Sequence, residues 1–368
     1  MRVTRLEIAN LRRFERVALR PAEGLNLIVG PNGAGKTSVL EALHLMAYGR
    51  SFRGRVHEGL VRSGTAALEI FLEWRTGDAA DTPGPAHKAG LRHSGQAWEG
   101  RLDGTDLRHL GELCAALAVV TIEPGSHSLI MGGAEQRRRF ADWGLFHVEP
   151  GFLSLWRRYA RALKQRNALL KRGVRDPQLD AWEQELAQSG EPLTSHRQHY
   201  LEQLQPHLQQ VLAALLPAAG GSRLEFQPGW RREELSLGDA LLLARERDFA
   251  SGHTTVGPHR ADWRIDHDAI PARSALSRGQ AKLTALSALL AQAELHAHVG
   301  GDWPVIALDD LASELDLDHQ RLVLQRVLAT GAQVFLTGTE APAALRAVSA
   351  TPVVFHVEHG RLRAEGGS

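Results

Sequence analysis

Three features of the sequence predict an α/β fold in two lobes, an α/β lobe built from both ends of the chain and a second, mainly helical lobe between them that lacks a long coiled coil. A short apolar run, Leu25–Val29, leads through a glycine-rich turn into a longer apolar run over residues 39–48, which reads as strand, tight loop and helix. From about residue 126 to 252 the texture is helical, with long runs free of Pro and Gly and few β-branched residues. After residue 253 short apolar runs return at Val305–Leu308, 334–336 and 353–357. Residues 1–125 and 253–368 are therefore expected to form one domain, with 126–252 inserted into it.

Length agrees with two lobes, because single cores stop growing near 250–300 residues and this chain has 368, of which 43% are hydrophobic. Cys114 is the only cysteine, so no internal disulfide forms and a reducing cytosol suits the composition. The first residues lack the apolar core of a signal peptide, and no run approaches the roughly 18 apolar residues of a membrane span. A soluble cytoplasmic protein without a membrane partner is expected. The net charge is +1, but residues 137–175 carry 11 Lys/Arg against Asp142 and Glu149, which makes that stretch +9 and the remainder −8. Positive charge gathered in one region favours a polyanionic partner.

In chain order, strands are expected at residues 3–8, 25–29, 68–74 and 117–122, with a surface loop over 76–85, which is rich in Gly, Asp and Pro. Residues 153–175 read as a helix. At 100° per residue, Arg157, Arg161, Lys164, Lys171, Arg172 and Arg175 fall within a stripe of about 100°, with Trp156, Tyr159, Leu163 and Leu170 opposite. A second helical pattern runs through Leu179, Trp182, Leu186, Leu193, Tyr200, Leu204, Leu208, Val211 and Leu215, so that the two pack as a short antiparallel pair. A helix should follow Ser277-Arg278-Gly279-Gln280, and another should span about 318–328.

The chemistry begins at Gly30-Pro31-Asn32-Gly33-Ala34-Gly35-Lys36-Thr37-Ser38, which fits the phosphate-binding pattern G-x-x-x-x-G-K-[ST] in the strand-loop-helix context the motif requires. Successive backbone N–H groups and the positive end of the following helix dipole cradle a polyphosphate, Lys36 reaches the β/γ oxygens, and the Thr37 hydroxyl ligates Mg²⁺. Val305-Ile306-Ala307-Leu308-Asp309-Asp310 is an apolar strand ending in two carboxylates. Asp309 is expected to face Mg²⁺ and Asp310 to orient or deprotonate the attacking water. ATP and Mg²⁺ are thus the expected cofactors, with Lys36 and Asp310 the catalytic pair.

Leu276-Ser277-Arg278-Gly279-Gln280 lies about 30 residues before that acidic pair and opens a helix. It resembles the signature of ABC-type ATPases, with Arg278 where glycine is usual. Ser277 could cap the helix and Gly279 let its backbone approach a γ-phosphate. Ser313-Glu314-Leu315-Asp316 follows as the D-loop does in that superfamily. The resemblance implies an ABC-type P-loop ATPase lobe whose active species is a head-to-tail dimer, with Ser277 to Gln280 acting in trans. Two departures stand beside it: no Gln follows Ile122, and Thr337-Gly338-Thr339 occupies the place where transport members carry a switch histidine.

Asn10-Leu11-Arg12-Arg13-Phe14, Gly49-Arg50-Ser51-Phe52-Arg53, Glu135-Gln136-Arg137-Arg138-Arg139-Phe140 and Val256-Gly257-Pro258-His259-Arg260, with the short helical insertion, resemble the RecF family of bacterial DNA-repair ATPases across the whole chain. The resemblance implies weak ATPase activity, dimerisation on ATP, binding of duplex and gapped DNA, and action with RecR and RecO in loading RecA. The 157–175 stripe offers a phosphate-backbone surface, or else a solvated face paired with acids elsewhere. Arg50 and Arg53 touch DNA or lie near the nucleotide, and Arg137 to Arg139 serve either as ion-pair partners or in DNA contact. A transporter ATPase subunit with a non-DNA partner and a small-molecule kinase are the rival readings; the first lacks its switch histidine here, and the second needs neither signature nor D-loop. A scaffold in which ATP controls assembly overlaps with the RecF reading, since Asp310 is shorter than the usual Glu and suggests slow hydrolysis.

Overall fold

The computed structural model describes residues 1–53, 59–77, 84–173, 176–348 and 350–365. In chain order its strands are β1 (Arg2–Ala9), β2 (Arg16–Leu19), β3 (Leu25–Val29), β4 (Leu68–Arg75), β5 (Ala86–His93), β6 (Trp98–Leu102), β7 (Thr105–Asp106), β8 (Val119–Ile122), β9 (Ser222–Gln227), β10 (Asp262–His267), β11 (Val305–Leu308), β12 (Val334–Gly338), β13 (Val353–Glu358) and β14 (Arg361–Ala364). The helices are α1 (Lys36–Tyr48), α2 (Leu110–Ala116), α3 (Ser128–Met131), α4 (Ala134–Val148), α5 (Phe152–Arg172), α6 (Gln178–Leu215), α7 (Leu237–Ser251), α8 (Arg278–Gly300), α9 (Leu311–Glu314) and α10 (Leu317–Leu328). Among the described residues no helix is long and apolar enough to cross a membrane.

The chain divides into two compact units, residues 1–126 with 293–368, and residues 127–292. The first unit holds two six-stranded sheets, ordered β2-β1-β4-β5-β6-β7 and β14-β13-β3-β12-β11-β8. In the second of these β13, β3, β12, β11 and β8 run parallel. Strands β3, β8, β11 and β12 are buried along their whole length, which is why they read as mainly apolar runs without alternation: parallel strands are covered on both faces. By contrast β4 alternates buried with less buried residues, as an antiparallel sheet with one wet face does. Helix α1 is buried along most of its length, with Val39, Leu40, Leu43 and Met46 at 0% exposure in the core of this unit. The meander β5-β6-β7 escaped the sequence reading because Ala86–His93 and Trp98–Leu102 carry few strongly apolar residues among their charges and β7 is two polar residues long. Of the expected loop over 76–85, residues 78–83 lie outside the described residues.

In the middle unit α5 and α6 run antiparallel, as shown by the ion pairs Arg158–Glu185 and Arg166–Glu183 and by the contact of Leu169 and Leu170 with Leu179. The pair is less short than expected, since α6 continues for 38 residues through Pro192 and Pro206. Nearly every apolar residue of the second pattern is buried on α6. On α5, Trp156 breaks the expectation: it lies 38% exposed rather than under the helix. The units also do not divide at residue 252. Strand β10 pairs antiparallel with β9 from Asp262↔Gln227 to His267↔Ser222, and this ties the residues after 253 to the middle unit up to 292, the signature segment included.

Candidate functional site

The site starts where β3 ends. A Cβ on Gly30 (φ 155°) would sit 2.1 Å from the Val357 carbonyl oxygen, and one on Gly35 (φ 120°) would press on the Phe14 ring at 3.1 Å. Only glycine lets the loop pass β13 on one side and Phe14 on the other. No side chain caps the start of α1; the Ser38 N–H donates to the Gly35 carbonyl at 2.9 Å, and the N–H groups of Lys36 and Thr37 before it face the loop's end, where a helix N-terminus takes an anion. Pro31, Asn32 and Gly33 are exposed, Ala34 and Ser38 buried. Lys36 is buried and lies back over the loop, donating to the carbonyls of Gly30 at 2.8 Å and Pro31 at 3.0 Å.

Because β12 stands between β3 and β11, three strand ends converge beside this loop. The Thr37 hydroxyl donates to Asp309 Oδ1 at 3.0 Å, and the Thr337 hydroxyl donates to the same oxygen at 2.6 Å. Burial pushes the Asp309 carboxyl up from its ordinary range, while the Thr337 and Thr37 hydrogen bonds hold it down. Asp310 adopts left-handed backbone, φ 50° and ψ 46°, which costs a non-glycine residue roughly 1–3 kcal/mol and is the kind of strain kept at functional positions. Its carboxylate makes no hydrogen bond or ion pair among the described residues and does not cap α9, whose N-cap it occupies. Of the D-loop residues, Ser313 donates its hydroxyl to the Asp310 carbonyl at 3.0 Å, and Asp316 caps α10 by accepting from the N–H groups of Asp318 and His319.

A ring of charge around this site includes one residue that sequence reasoning missed. Glu41, at 0% exposure on α1, receives Arg12 Nε at 3.0 Å and Nη2 at 2.7 Å, together with the Ser51 hydroxyl, and Arg53 Nη1 stands 3.9 Å away. The signal was present as an acid inside the apolar run Val39-Leu40-Glu41-Ala42-Leu43. Arg13 donates to the Gly33 carbonyl at 2.8 Å, so the segment 10–14 is bound to the phosphate loop and to α1 at once. Arg53 is half exposed, and its charge reaches Asp309 and favours the ionised carboxylate. Arg50 is half-buried near His44, whose ring stacks on Tyr48 with 4.0 Å between centroids. Burial, helped by the Arg50 charge, pushes His44 down to about 3.

Elsewhere Ser277 and Gln280 form a reciprocal cap on α8: the Ser277 N–H donates to Gln280 Oε1 at 2.8 Å and the Gln280 N–H to Ser277 Oγ at 3.2 Å. Ser277, Arg278 and Gly279 are exposed, and a Cβ on Gly279 would meet nothing closer than Ser277 Oγ at 4.0 Å. On α5, Arg161, Lys164, Lys171 and Arg172 are exposed, whereas Arg157 is half-buried with one guanidinium nitrogen that has no hydrogen-bond partner; Arg175 lies outside the described residues. Arg137 is built into the fold, pairing with Asp262 at 2.6 and 3.0 Å and donating to the Gly132 carbonyl at 2.7 Å. Arg138 donates to the Ala261 carbonyl at 2.8 Å and Arg139 pairs with Glu135 one turn away. The Val256 to Arg260 segment is equally structural: His259 Nδ1 lies 2.7 Å from the Tyr159 hydroxyl and Nε2 lies 2.9 Å from the Thr254 carbonyl.

This combination of phosphate loop, acidic strand end and capped signature helix within two units has close counterparts. The family model described as RecF/RecN/SMC N terminal domain matches residues 2–362. The DNA replication and repair protein RecF of Stenotrophomonas maltophilia is 65% identical, covering 98% of this chain and 99% of its own. That of Xanthomonas axonopodis pv. citri is 64% identical, with 98% of each covered. The chain belongs to the RecF family. It is thus a member of a family of DNA replication and repair proteins, with the ABC-type ATPase fold. The solved structure of the recombination mediator protein RecF-ATP in the RecFOR pathway superimposes with a TM-score of 0.87 at 25% identity, over 99% of this chain and 98% of the other.

Proposed function

We propose that the protein binds ATP with Mg²⁺ at the Gly30–Ser38 loop, closes head to tail with a second copy through Ser277, Arg278, Gly279 and Gln280, and clamps duplex or gapped DNA in the closed state. The observation that carries the reading is the meeting of the phosphate loop with the acidic end of β11, where the Thr37 hydroxyl donates to Asp309 Oδ1 at 3.0 Å. All the donors there that would face a divalent ion are oxygens, a hydroxyl and carboxylates, which suits a hard cation such as Mg²⁺. Thr37 and Asp309 would hold it, and the bound ion would neutralise charge on the β- and γ-phosphates. Lys36 swings from the loop carbonyls to the phosphate oxygens. Asp310, whose carboxylate has no partner to give up among the described residues, orients the attacking water.

Hydrolysis is slow and resets the dimer, because a short carboxylate on strained backbone must reach that water. The exposed basic residues of α5, Arg161, Lys164, Lys171 and Arg172, contact phosphates without reading sequence, and Arg53 links the nucleotide to bound DNA. The RecFOR pathway named for the solved relative supports work with RecO and RecR; a cytoplasmic location and, through these partners, the loading of RecA on gaps are part of the same reading.

The test titrates labelled duplex DNA with wild type and Ser277→Arg, in Mg·ATP and in Mg·ADP, at one fixed salt concentration. Tight binding by wild type in ATP alone, lost in the variant, is expected. Equal binding in all four conditions would mean that nucleotide does not gate DNA and would sink the clamp.

A further inference from the structure

We infer that Thr337 is a positioning residue of the nucleotide site, its one hydroxyl fixing both the carboxylate of Asp309 and the backbone of Asp310. The inference rests on the nucleotide reading proposed above and adds to it a residue that acts through its neighbours. Strand β12 lies between β3, which feeds the phosphate loop, and β11, which ends in the acidic pair. The register Leu308↔Leu336 puts Thr337 level with Asp309, at 1% exposure.

A threonine hydroxyl has one proton and two lone pairs. Its proton goes to Asp309 Oδ1 at 2.6 Å, since a carboxylate can only accept, and a lone pair receives the Asp310 N–H at 3.0 Å. The Thr37 hydroxyl donates to the same Oδ1, so both hydroxyls gather on one oxygen, and Oδ2 takes no hydrogen bond from the described residues. Asp309 is thereby held in one rotamer with Oδ2 available. Thr37 is the hydroxyl for which a ligand competes, which leaves Thr337 as the tether that persists. The same contact satisfies the amide of Asp310, the residue held at φ 50° whose carboxylate is otherwise unengaged. Valine has the same shape without the hydroxyl, and it would leave the Asp310 amide unpaired and Asp309 short of a donor.

The experiment uses the full chain as wild type, Thr337→Val, Thr337→Ser, Thr337→Cys and Lys36→Ala. It reads Mn²⁺ affinity by electron paramagnetic resonance at saturating ATP, nucleotide affinity in EDTA with a fluorescent ATP analogue, and kcat. Groups that orient a metal ligand contribute about 10- to 100-fold in metal affinity or activity. Thr337→Val is therefore expected to weaken Mn²⁺ about ten-fold and lower kcat at least about ten-fold. Its metal-free nucleotide affinity should change less than about two-fold, Thr337→Ser should match wild type, and Thr337→Cys, which keeps volume and a weak donor, should fall between. Should Thr337→Val fail to fold, the Ser against Cys difference carries the same test. Wild-type Mn²⁺ affinity in the Val or Cys variant overturns the inference, as does an equal loss of metal-free nucleotide affinity, which marks general damage to the loop. Failure of the parent reading shows separately, as Lys36→Ala binding nucleotide like wild type, and the inference falls with it.

Discussion

Buried charge is handled differently in the two units. In the middle unit Arg166, at 0% exposure, donates to Glu183 at 2.8 Å, to Asp248 at 2.7 Å and to Thr254 at 2.8 Å. Arg197 meets Asp142 at 2.7 and 2.9 Å and the Pro258 carbonyl at 2.7 Å. Each of these cations has an opposite charge of the protein's own. In the first unit Lys36 has two carbonyls, Asp309 has two hydroxyls, and the Asp310 carboxylate has no partner among the described residues. Charges that are saturated from within hold a scaffold together, and charges given only neutral partners remain able to take an ionic ligand. The Arg12–Glu41 pair shows that the distinction is local: it sits beside the phosphate loop yet is saturated, and so serves to fix the segment around the site.

The largest effect that would break the comparison is in stability. Arg166→Ala leaves Glu183 and Asp248 buried with a partner removed, a change that typically costs about 3–5 kcal/mol. Lys36→Met removes only bonds to carbonyls, each worth about 1 kcal/mol. Thermal unfolding should show a fall of about 10 °C for Arg166→Ala and a much smaller one for Lys36→Met, while nucleotide binding ranks the two the other way. A Lys36→Met protein as unstable as Arg166→Ala would mean that Lys36 is scaffold after all.

A somewhat smaller effect is expected from acid, and both units share it. Burial pushes His259 down to about 4 and His44 to about 3, against the ordinary 6.5. A neutral His259 accepts from the Tyr159 hydroxyl at Nδ1 and donates from Nε2–H to the Thr254 carbonyl. Below pH 6.5 the unfolded chain takes up a proton that the folded ring refuses, so stability is complete above that pH and is lost as pH falls towards 4. The loss for His259 amounts to about 3 kcal/mol once pH is below both values. Urea unfolding between pH 7 and 4 should show this slope, and His259→Gln should reduce it by about one proton. An unchanged slope in the variant would show that the folded ring titrates normally.

What the sequence discloses follows the same division. The phosphate loop, both carboxylates and the strands β3 and β11 are legible because their constraints are local: glycine where a Cβ would strike Val357, and an apolar run where both faces are covered. Partners set by the fold are not. Thr337 meets Asp309 only because β12 lies between β3 and β11, an order that no local pattern encodes. Glu41 declares itself as an acid among apolar residues without saying that Arg12 answers it. The β9–β10 pair joins residues 35 or more positions apart through short stretches of mixed polarity, and the boundary at 292 depends on it. Arg137 and Arg161 look alike as members of one basic stretch, yet the first is locked to Asp262 and the second is exposed.

That last pair suggests the smallest and most specific prediction, which sharpens the comparison within a single helix. Arg158 and Arg161 lie three residues apart on α5 and both are exposed, but Arg158 is held by Glu185 at 2.8 Å. Arg161 acts on the same Glu185 only through its charge. If cations without a close ion pair are the ones that meet a polyanion, Arg161→Glu and Lys164→Glu should each weaken duplex binding several-fold. Each should also reduce the slope of log affinity against log salt by about one, the signature of a lost phosphate contact. Arg158→Glu should leave that slope unchanged, and all three should stay folded, since exposed charges contribute little to stability. Binding isotherms at four salt concentrations separate the cases. If all three variants bind with the wild-type slope, the DNA face lies elsewhere and the α5 stripe is solvated surface. If Arg158→Glu changes the slope as much as Arg161→Glu, the Glu185 pair gives way to DNA, and saturation by an internal partner ceases to distinguish scaffold from site at exposed positions.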